Sequence, residues 1–502
     1  MTYRVLPPGV SEAQFALALA DFAKAVGPDA VFTDDERMLP YRKILIPVEE
    51  DRFAPSGVVM ARTVEEVQAV LAVCNRYKVP VWPISTGRNF GYGSANPATR
   101  GCMILDLKRM NRIIEVDPVL CTALVEPGVT YQQLQDYLKE RNIPLWLDFP
   151  GPGPLVGPVG NTLERGGGNT PYGDHFANAC GMEVVLADGK VLKTGMGSIP
   201  NSTSWQVFRY GYGPYLDGMF TQSNFGVVTK MGLWLMPAPA GHETFMVQYA
   251  NAEDLAAAVD TVRPLRLQGL IPNVGVMGNA NIVLTSFKRK ADLYTGEGAV
   301  PDDILLAAAK TAGLGAWNVL FSLYGTEAQM APNREIVTAA FEASGGKVIR
   351  GISDPAQVNQ LSLASFSLLN WVGGGGLSWF APVSPARGAD ALKQQTLAKT
   401  ILRDHGFDYL AAPTLNGRDL HHLVAMVFDH AQPAEVARAA DCFRALVTRF
   451  GAEGYGLYRV GIDFMDELAD IYGATNREVN RAIKRALDPN GVIAPGKSGI
   501  RI

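Results

Sequence analysis

No two cysteines in this chain form a C-x-x-C pair, and the five it has (Cys74, Cys102, Cys121, Cys180, Cys442) are scattered. An odd, dispersed set argues against a zinc site of paired cysteines and against a disulfide framework, and fits reduced thiols in a cytoplasm. C-x-x-C-H is absent as well, so this chain carries no c-type haem of its own. There is no Lys/Arg tract and the formal net charge is −4, which gives no footing for nucleic acid. No apolar run approaches the ~20 residues of a membrane span. Residues 1–8 lack the charged start and apolar centre of an export signal, so the expectation is a cytoplasmic protein without a membrane partner. Neither a strand–G-x-G-x-x-G–helix unit nor G-x-x-x-x-G-K-[ST] occurs, which leaves a Rossmann site and a P-loop unsupported.

Glycine is what the chain has in quantity, 52 residues together with 32 prolines, in a composition 47% hydrophobic and 19% charged. That is a globular, loop-rich composition, and 502 residues are too many for one core. Helical periodicity behind N-cap residues predicts helices over 11–27 (Ser11), 63–77 (Thr63) and 129–141 (Thr130). Short strands are expected at 79–82, 103–107, 113–116 and 122–125, with a hairpin over 182–194 turning at Asp188-Gly189. The Pro- and Gly-rich stretch 237–241 marks a boundary. Beyond it, helices are predicted at 252–265, 302–311, 333–343, 389–405 and 433–450, alternating with strands, and a last helix at 477–487. The chain thus reads as α+β with a first domain over 1–240, completed by 460–502, and a second over 241–459. The apolar, glycine-rich tail after residue 490 is expected to pack back on the first domain.

The densest signal lies at residues 83–93, PISTGRNFGYG, directly after an apolar strand. Its glycines let bare N–H groups approach a phosphate, and Arg88 adds positive charge. Tyr92, set between Gly91 and Gly93, is hard to explain as a turn residue; it suggests a nucleotide cofactor whose reactive end lies nearby. Three more glycine clusters follow in the first domain, at 157–168, 172–175 and 223–229. Any one alone reads best as a tight turn. Four together suggest a long ligand wrapped in backbone.

These segments, with Trp146-Leu147-Asp148 and 217–224, resemble the FAD-binding domain of the vanillyl-alcohol oxidase / p-cresol methylhydroxylase flavoproteins. Trp379-Phe380-Ala381-Pro382, Arg418-Asp419-Leu420-His421-His422, Leu457-Tyr458-Arg459 and 488–499 are similar to its 4-alkylphenol-oxidising branch. The resemblance covers nearly the whole chain and implies that family's two-domain FAD-binding fold with an α+β cap. It further implies a pyrophosphate loop at Pro83, Ser85, Thr86, Gly87, Arg88, Asn89, Gly91, Tyr92 and Gly93. Pro158, Gly160, Asn161, Arg165 and Gly166 would hold the cofactor further along. So would Tyr172, Gly173 and His175, then Asn224, Gly226 and Val228, with Lys497 closing over the flavin. It also implies a homodimer.

Oxidising a 4-alkylphenol removes hydride from the benzylic carbon, which is easy only from the phenolate, whose oxygen lone pair drives the hydride out and leaves a quinone methide. A phenol of pKa ~10 must therefore ionise in the pocket. The resemblance gives Tyr92, Tyr458 and Arg459 the catalytic task of holding the oxyanion, and adds His422 as a substrate contact. Without it, Tyr458-Arg459 would read as an ordinary strand pair with Arg459 exposed. Two features depart from the family. No Tyr or His lies between Tyr324 and His405 to tether the flavin, so dissociable FAD is expected. No acid stands in 149–153, after Asp148, and Ala412 replaces a family glutamate, which leaves open the fate of the quinone methide. The leading expectation passes the electrons to O2; the alternative passes them to a c-type cytochrome subunit. More remote are a hydroxy-acid or sugar oxidase on the same fold, which would need basic residues in place of Tyr92 and Tyr458, and a non-catalytic flavin carrier.

Overall fold

The computed structural model describes residues 4–151, 153–273, 275–352 and 367–502; Pro152, in the stretch without an acid, lies outside them. The N-terminal helix Glu12–Val26 starts at a full capping box, Ser11 with Gln14, and buries Phe15, Ala18 and Phe22. Their i, i+3, i+7 spacing is the apolar stripe that makes the helix pack. It lies against Val64–Tyr77, which Thr63 caps through the Glu66 N–H.

Under these helices runs a four-stranded sheet in the order Val31–Phe32, Gly57–Met60, Met103–Asp106, Val81–Ile84, with the last three parallel. Met103–Asp106 is buried along its whole length, as a central parallel strand must be. The strand expected at 79–82 begins two residues later, because the Val79 N–H is used to close the preceding helix on the Cys74 carbonyl. This shift makes Pro83 a strand residue and starts the glycine loop at the strand's carboxyl end. A five-stranded antiparallel sheet follows in the order Ile113–Asp117, Thr122–Val125, Val227–Trp234, Ala179–Val185, Val191–Lys193. Its last two strands are the expected hairpin.

After Met236–Pro237 the chain enters a seven-stranded sheet whose longest strands are His242–Tyr249 and Trp317–Tyr324, and a three-stranded sheet of Gly375–Phe380, Val424–Asp429 and Leu410–Ala411. Leu255–Leu267, Glu327–Ala343, Gly388–Asp404 and Pro433–Ala452 are the long helices of this half. The helix expected from residue 333 begins six residues earlier, since Thr326 and Gln329 form a capping box and Pro332 is accommodated in the helix.

The last helix, Ala474–Leu487, returns the chain to the first half. The tail then docks beside Val81: the Val81 N–H donates to the Val492 carbonyl and the Ala494 N–H to the Val81 carbonyl, at 2.8 and 2.7 Å. A fully buried ammonium fixes this return. Lys484 Nζ donates to the Asn224 and Ile493 carbonyls and to Asp488 Oδ2, each at 2.7 Å, so all three of its protons are used.

Candidate active site

A cavity of about 380 Å³ opens where the glycine loop, the 157–167 segment, residues 220–228 and the C-terminal tail meet. The loop bends through left-handed backbone at Gly87 (φ 70°) and Gly91 (φ 77°). A Cβ on Gly91 would run into the Trp379 indole, so the close approach itself requires glycine there. Among the described residues, the N–H groups of Gly87, Arg88 and Asn89 donate to no protein acceptor. Arg88 lines the same wall with its guanidinium 4.8 Å from the Phe90 ring centroid, and its buried Nε has no partner. Burial pulls the Arg88 pKa down and no carboxylate offsets this. Free N–H groups and an unpaired cation form a cradle for an anion such as a pyrophosphate.

At the other end, three separate segments deliver the phenol-site candidates. Tyr92 comes from the glycine loop, Tyr458 and Arg459 from the segment after Pro433–Ala452, and Trp379 from Gly375–Phe380. Tyr458 stands beside Tyr92 in the cavity wall, close enough to act on the Tyr92 hydroxyl. The Arg459 guanidinium carbon sits 4.0 Å from the Tyr92 ring centroid, a cation–π contact, and its Nη2 donates to Asn89 Oδ1. Burial, then the neighbouring Tyr458, pushes the Tyr92 pKa well above 10 despite the opposing pull of Arg459. Tyr92 is therefore a neutral hydroxyl, a donor to an oxyanion rather than a base. Tyr458 and Arg459 are not on a strand, and the Arg459 side chain is only 11% exposed.

Sequence reasoning missed the group that joins the two ends. Glu164 accepts from Lys497 Nζ and lies 3.7 Å from Arg459 Nε. Burial pushes its pKa up most strongly, but Lys497 and Arg459 together bring it below the usual carboxylate value. Gln222 was missed too: its Nε2 donates to the Tyr458 carbonyl at 2.9 Å. Gln222 (φ 47°), Ala494 (φ 41°), Arg165 (φ 53°) and Ser498 (φ 52°) all carry left-handed backbone without being glycine, and all lie in or next to this wall. Such strain persists where surrounding contacts impose it, and it collects at working sites. An acid inside a glycine-rich run was the one sequence signal for Glu164.

Of the expected cofactor contacts, Pro83, Ser85, Thr86, Gly87, Arg88, Asn89 and Tyr92 line the cavity. So do Gly160, Asn161, Gly166, Gly226, Val228 and Lys497. Gly91, Gly93, Pro158, Arg165, Tyr172, Gly173, His175 and Asn224 are not in its lining. His175 illustrates why: its Nε2 lies 2.8 Å from Asp148 Oδ1 and its Nδ1 2.5 Å from Asn161 Oδ1, so it holds a lining residue in place. Asn224 clamps the tail by donating to the Ala494 and Ile500 carbonyls. The expectation for His422 is corrected. It is fully buried, bonded through Nε2 to the Tyr409 hydroxyl at 2.6 Å, and burial drops its pKa to about 3. Neighbours on extended chain face opposite ways, and it is His421 that packs on Tyr458, with ring centroids 4.7 Å apart and the planes tilted by 34°.

A dinucleotide cradle and a buried phenol-type site on this α+β fold define an FAD-dependent oxidoreductase. Two family models match in agreement, the FAD binding domain over residues 55–195 and the C-terminal domain of FAD linked oxidases over 242–498. The 4-cresol dehydrogenase [hydroxylating] flavoprotein subunit of Pseudomonas putida is 48% identical over 99% of this chain and 98% of its own. A crystal structure of p-cresol methylhydroxylase with substrate bound superposes with TM-score 0.97 at 47% identity, covering 99% of both chains. The 4-ethylphenol oxidase of Gulosibacter chungangensis, in its isoeugenol complex, does so with TM-score 0.95 at 34% identity, again over 99% of both. The chain belongs to the vanillyl-alcohol oxidase / p-cresol methylhydroxylase flavoprotein family, as the sequence resemblance implied. FAD fits the residues present: the unpaired Arg88 and the loop N–H groups suit its pyrophosphate.

Proposed function

We propose that this enzyme oxidises 4-substituted phenols (4-alkylphenols and 4-hydroxybenzyl alcohols) at the benzylic carbon and delivers the electrons to O2. The observation that carries the reading is the convergence of Tyr92, Tyr458 and Arg459 at one end of the cavity. Two tyrosine hydroxyls and one fixed guanidinium offer hydrogen bonds and positive charge to a phenolate. The substrate is bound as its phenolate, the phenolic proton passing to solvent water. Its oxygen lone pair then forms the C=O of a quinone methide as the benzylic C–H bond breaks and the hydrogen leaves with both of its electrons. Bound FAD supplies the hydride acceptor. Trp379, Leu423 and Ile462 give that end apolar walls that keep water from solvating the oxyanion.

Non-covalent FAD is part of this proposal. The tyrosines lining the cavity are Tyr92 and Tyr458, both given to the phenolate in this reading, and no histidine lines it among the described residues. We assign 1–240 with 460–502 to the FAD domain and 241–459 to the cap. The cytoplasm is the proposed location, in keeping with five free thiols. Among the described residues no helix is long and apolar enough to cross a membrane. A homodimer is proposed too; the exposed Phe208, Tyr210 and Tyr212 offer it an apolar face.

A second reading, transfer to a c-type cytochrome subunit, is favoured by the 48% likeness to a dehydrogenase flavoprotein subunit. One experiment separates the readings. Anaerobic mixing with 4-ethylphenol bleaches the flavin if the substrate class is right, and no bleaching with any phenol defeats it. Admitting air restores the yellow colour within the turnover time if O2 is the acceptor; slow return, with fast oxidation by added cytochrome c, selects the second reading. Acid precipitation releases all yellow colour if FAD is untethered.

A further inference from the structure

Glu164 sits between two cations that line one cavity with it. Arg459 stacks on Tyr92, where the proposed phenolate oxygen would lie. Lys497 belongs to the C-terminal tail and reaches to 5.9 Å from the Trp82 ring centroid, at the root of the glycine loop. The Glu164 carboxylate is bonded to Lys497 and pairs with Arg459 at 3.7 Å, with side-chain exposures of 21%, 8% and 11% for the three groups. Arg88 serves the far wall, and Arg165, which also acts on Glu164, is not part of the lining; with Tyr92 held neutral, the charged groups that line this end of the cavity are Glu164, Arg459 and Lys497. Their sum is one positive charge. Two cations without Glu164 would make it two; Arg459 alone would hold the positive charge at the substrate end.

We propose that Glu164 is the positioning residue that keeps the site at one positive charge shared between its substrate and cofactor ends. The proposal rests on the phenol-oxidation reading, and it explains why a carboxylate is kept beside residues that should attract an anion. During hydride loss the substrate goes from a phenolate of charge −1 to a neutral quinone methide, and the two electrons carry that charge to the cofactor. One negative charge is present before and after, at different ends. A single shared positive charge, pivoting on Glu164 between Arg459 and Lys497, matches both states nearly equally. The charge transfer then needs little electrostatic reorganisation inside a low-dielectric pocket. A second uncompensated cation would bind the phenolate more tightly without favouring its conversion, which is uniform binding and gains no rate.

The test uses the FAD-loaded enzyme with 4-nitrophenol, whose absorbance reports ionisation in the site, and the reduction potential of the bound FAD. In Glu164→Gln the bound phenol is expected to ionise at a lower pH by about one unit, a tenfold change in the equilibrium, and the potential to rise. Lys497→Met removes a cation from the same trio and is expected to move both readouts the opposite way. The double variant, again with one positive charge, returns both towards wild type. A residue that merely packs the tail would not give shifts of opposite sign that cancel. Unchanged readouts in Glu164→Gln, or shifts of the same sign in the two single variants, would overturn the proposal. Should Glu164→Gln fail to retain FAD, Lys497→Met decides alone: a potential that does not fall overturns it. If wild type neither binds 4-nitrophenol nor is bleached by alkylphenols, the substrate reading fails, while the potentials still judge the charge trio.

Discussion

Asp148, buried, and Glu164, half-buried, are two carboxylates a short distance apart in sequence, each beside a basic group, and they do different things. Asp148 is closed off: Oδ2 accepts the Thr170 N–H at 2.6 Å and Oδ1 meets His175 at 2.8 Å, which in turn reaches Asn161. Every partner is protein, the position of a third segment depends on it, and nothing is left over for a ligand. Glu164 is open: its partners Lys497 and Arg459 line the cavity with it, and the trio's net charge is unbalanced by protein. Completeness of partners, rather than burial or residue type, separates a polar group that fastens the fold from one that serves the site. Lys484–Asp488 belongs with Asp148, and Tyr92–Tyr458–Arg459 with Glu164.

The comparison is broken most readily at its fastening side. Lys484→Met is expected to leave Asp488 as an unpaired charge with 0% exposure, at a cost of about 3–5 kcal/mol. Because that ammonium also holds the Asn224 and Ile493 carbonyls, the tail should loosen and FAD should leave with it. Urea unfolding and flavin retention on a desalting column check this; a variant with wild-type stability would put Lys484 among the dispensable ions. On the serving side the outcome reverses. Arg459→Ala or Tyr458→Phe should slow flavin reduction by 4-ethylphenol at least tenfold, or ~1.4 kcal/mol, while the thermal midpoint moves little. Stopped-flow absorbance under nitrogen gives the rate, and an unchanged value would take these residues out of the mechanism.

Much of this was legible in the sequence where local rules suffice. Ser11, Thr63 and Thr130 mark helix starts because a hydroxyl caps N–H groups three residues on, whatever the tertiary context. The glycine loop was legible because only glycine tolerates its φ values and the approach of Trp379. Tyr92, Tyr458 and Arg459 were reachable only through the family resemblance, since nothing local says that positions 366 residues apart meet. Glu164 and Gln222 were missed for the converse reason: each looks like a surface polar residue until the tail folds back upon it. The burial of His422 was not legible because strand phase at the end of Asp419–His421 is set by pairing to Val383–Pro385, which spacing alone does not reveal.

Asp463 is a third kind of carboxylate, neither fastened nor in service, and it tests whether completeness of partners is the right criterion. It follows Ile462, whose N–H donates to the Tyr92 carbonyl, and its buried Oδ1 has no partner. Burial pushes its pKa up to about 7; Arg52 and Arg444 pull against this and Glu467 adds to it. The folded pKa is thus raised above the unfolded value near 4, so the folded chain keeps a proton that the unfolded chain releases. Stability should be highest below pH ~4, decline as pH rises through the window up to about 7, and stay level above it, as far as this group decides. Asp463→Asn removes the charge while keeping the shape, and should flatten that decline and stabilise the protein at pH 8 by about 1 kcal/mol. Urea midpoints at pH 5 and pH 8 for both proteins measure it. If the two proteins lose stability equally across that window, an unpartnered buried oxygen carries no penalty here, and completeness of partners ceases to distinguish the three carboxylates.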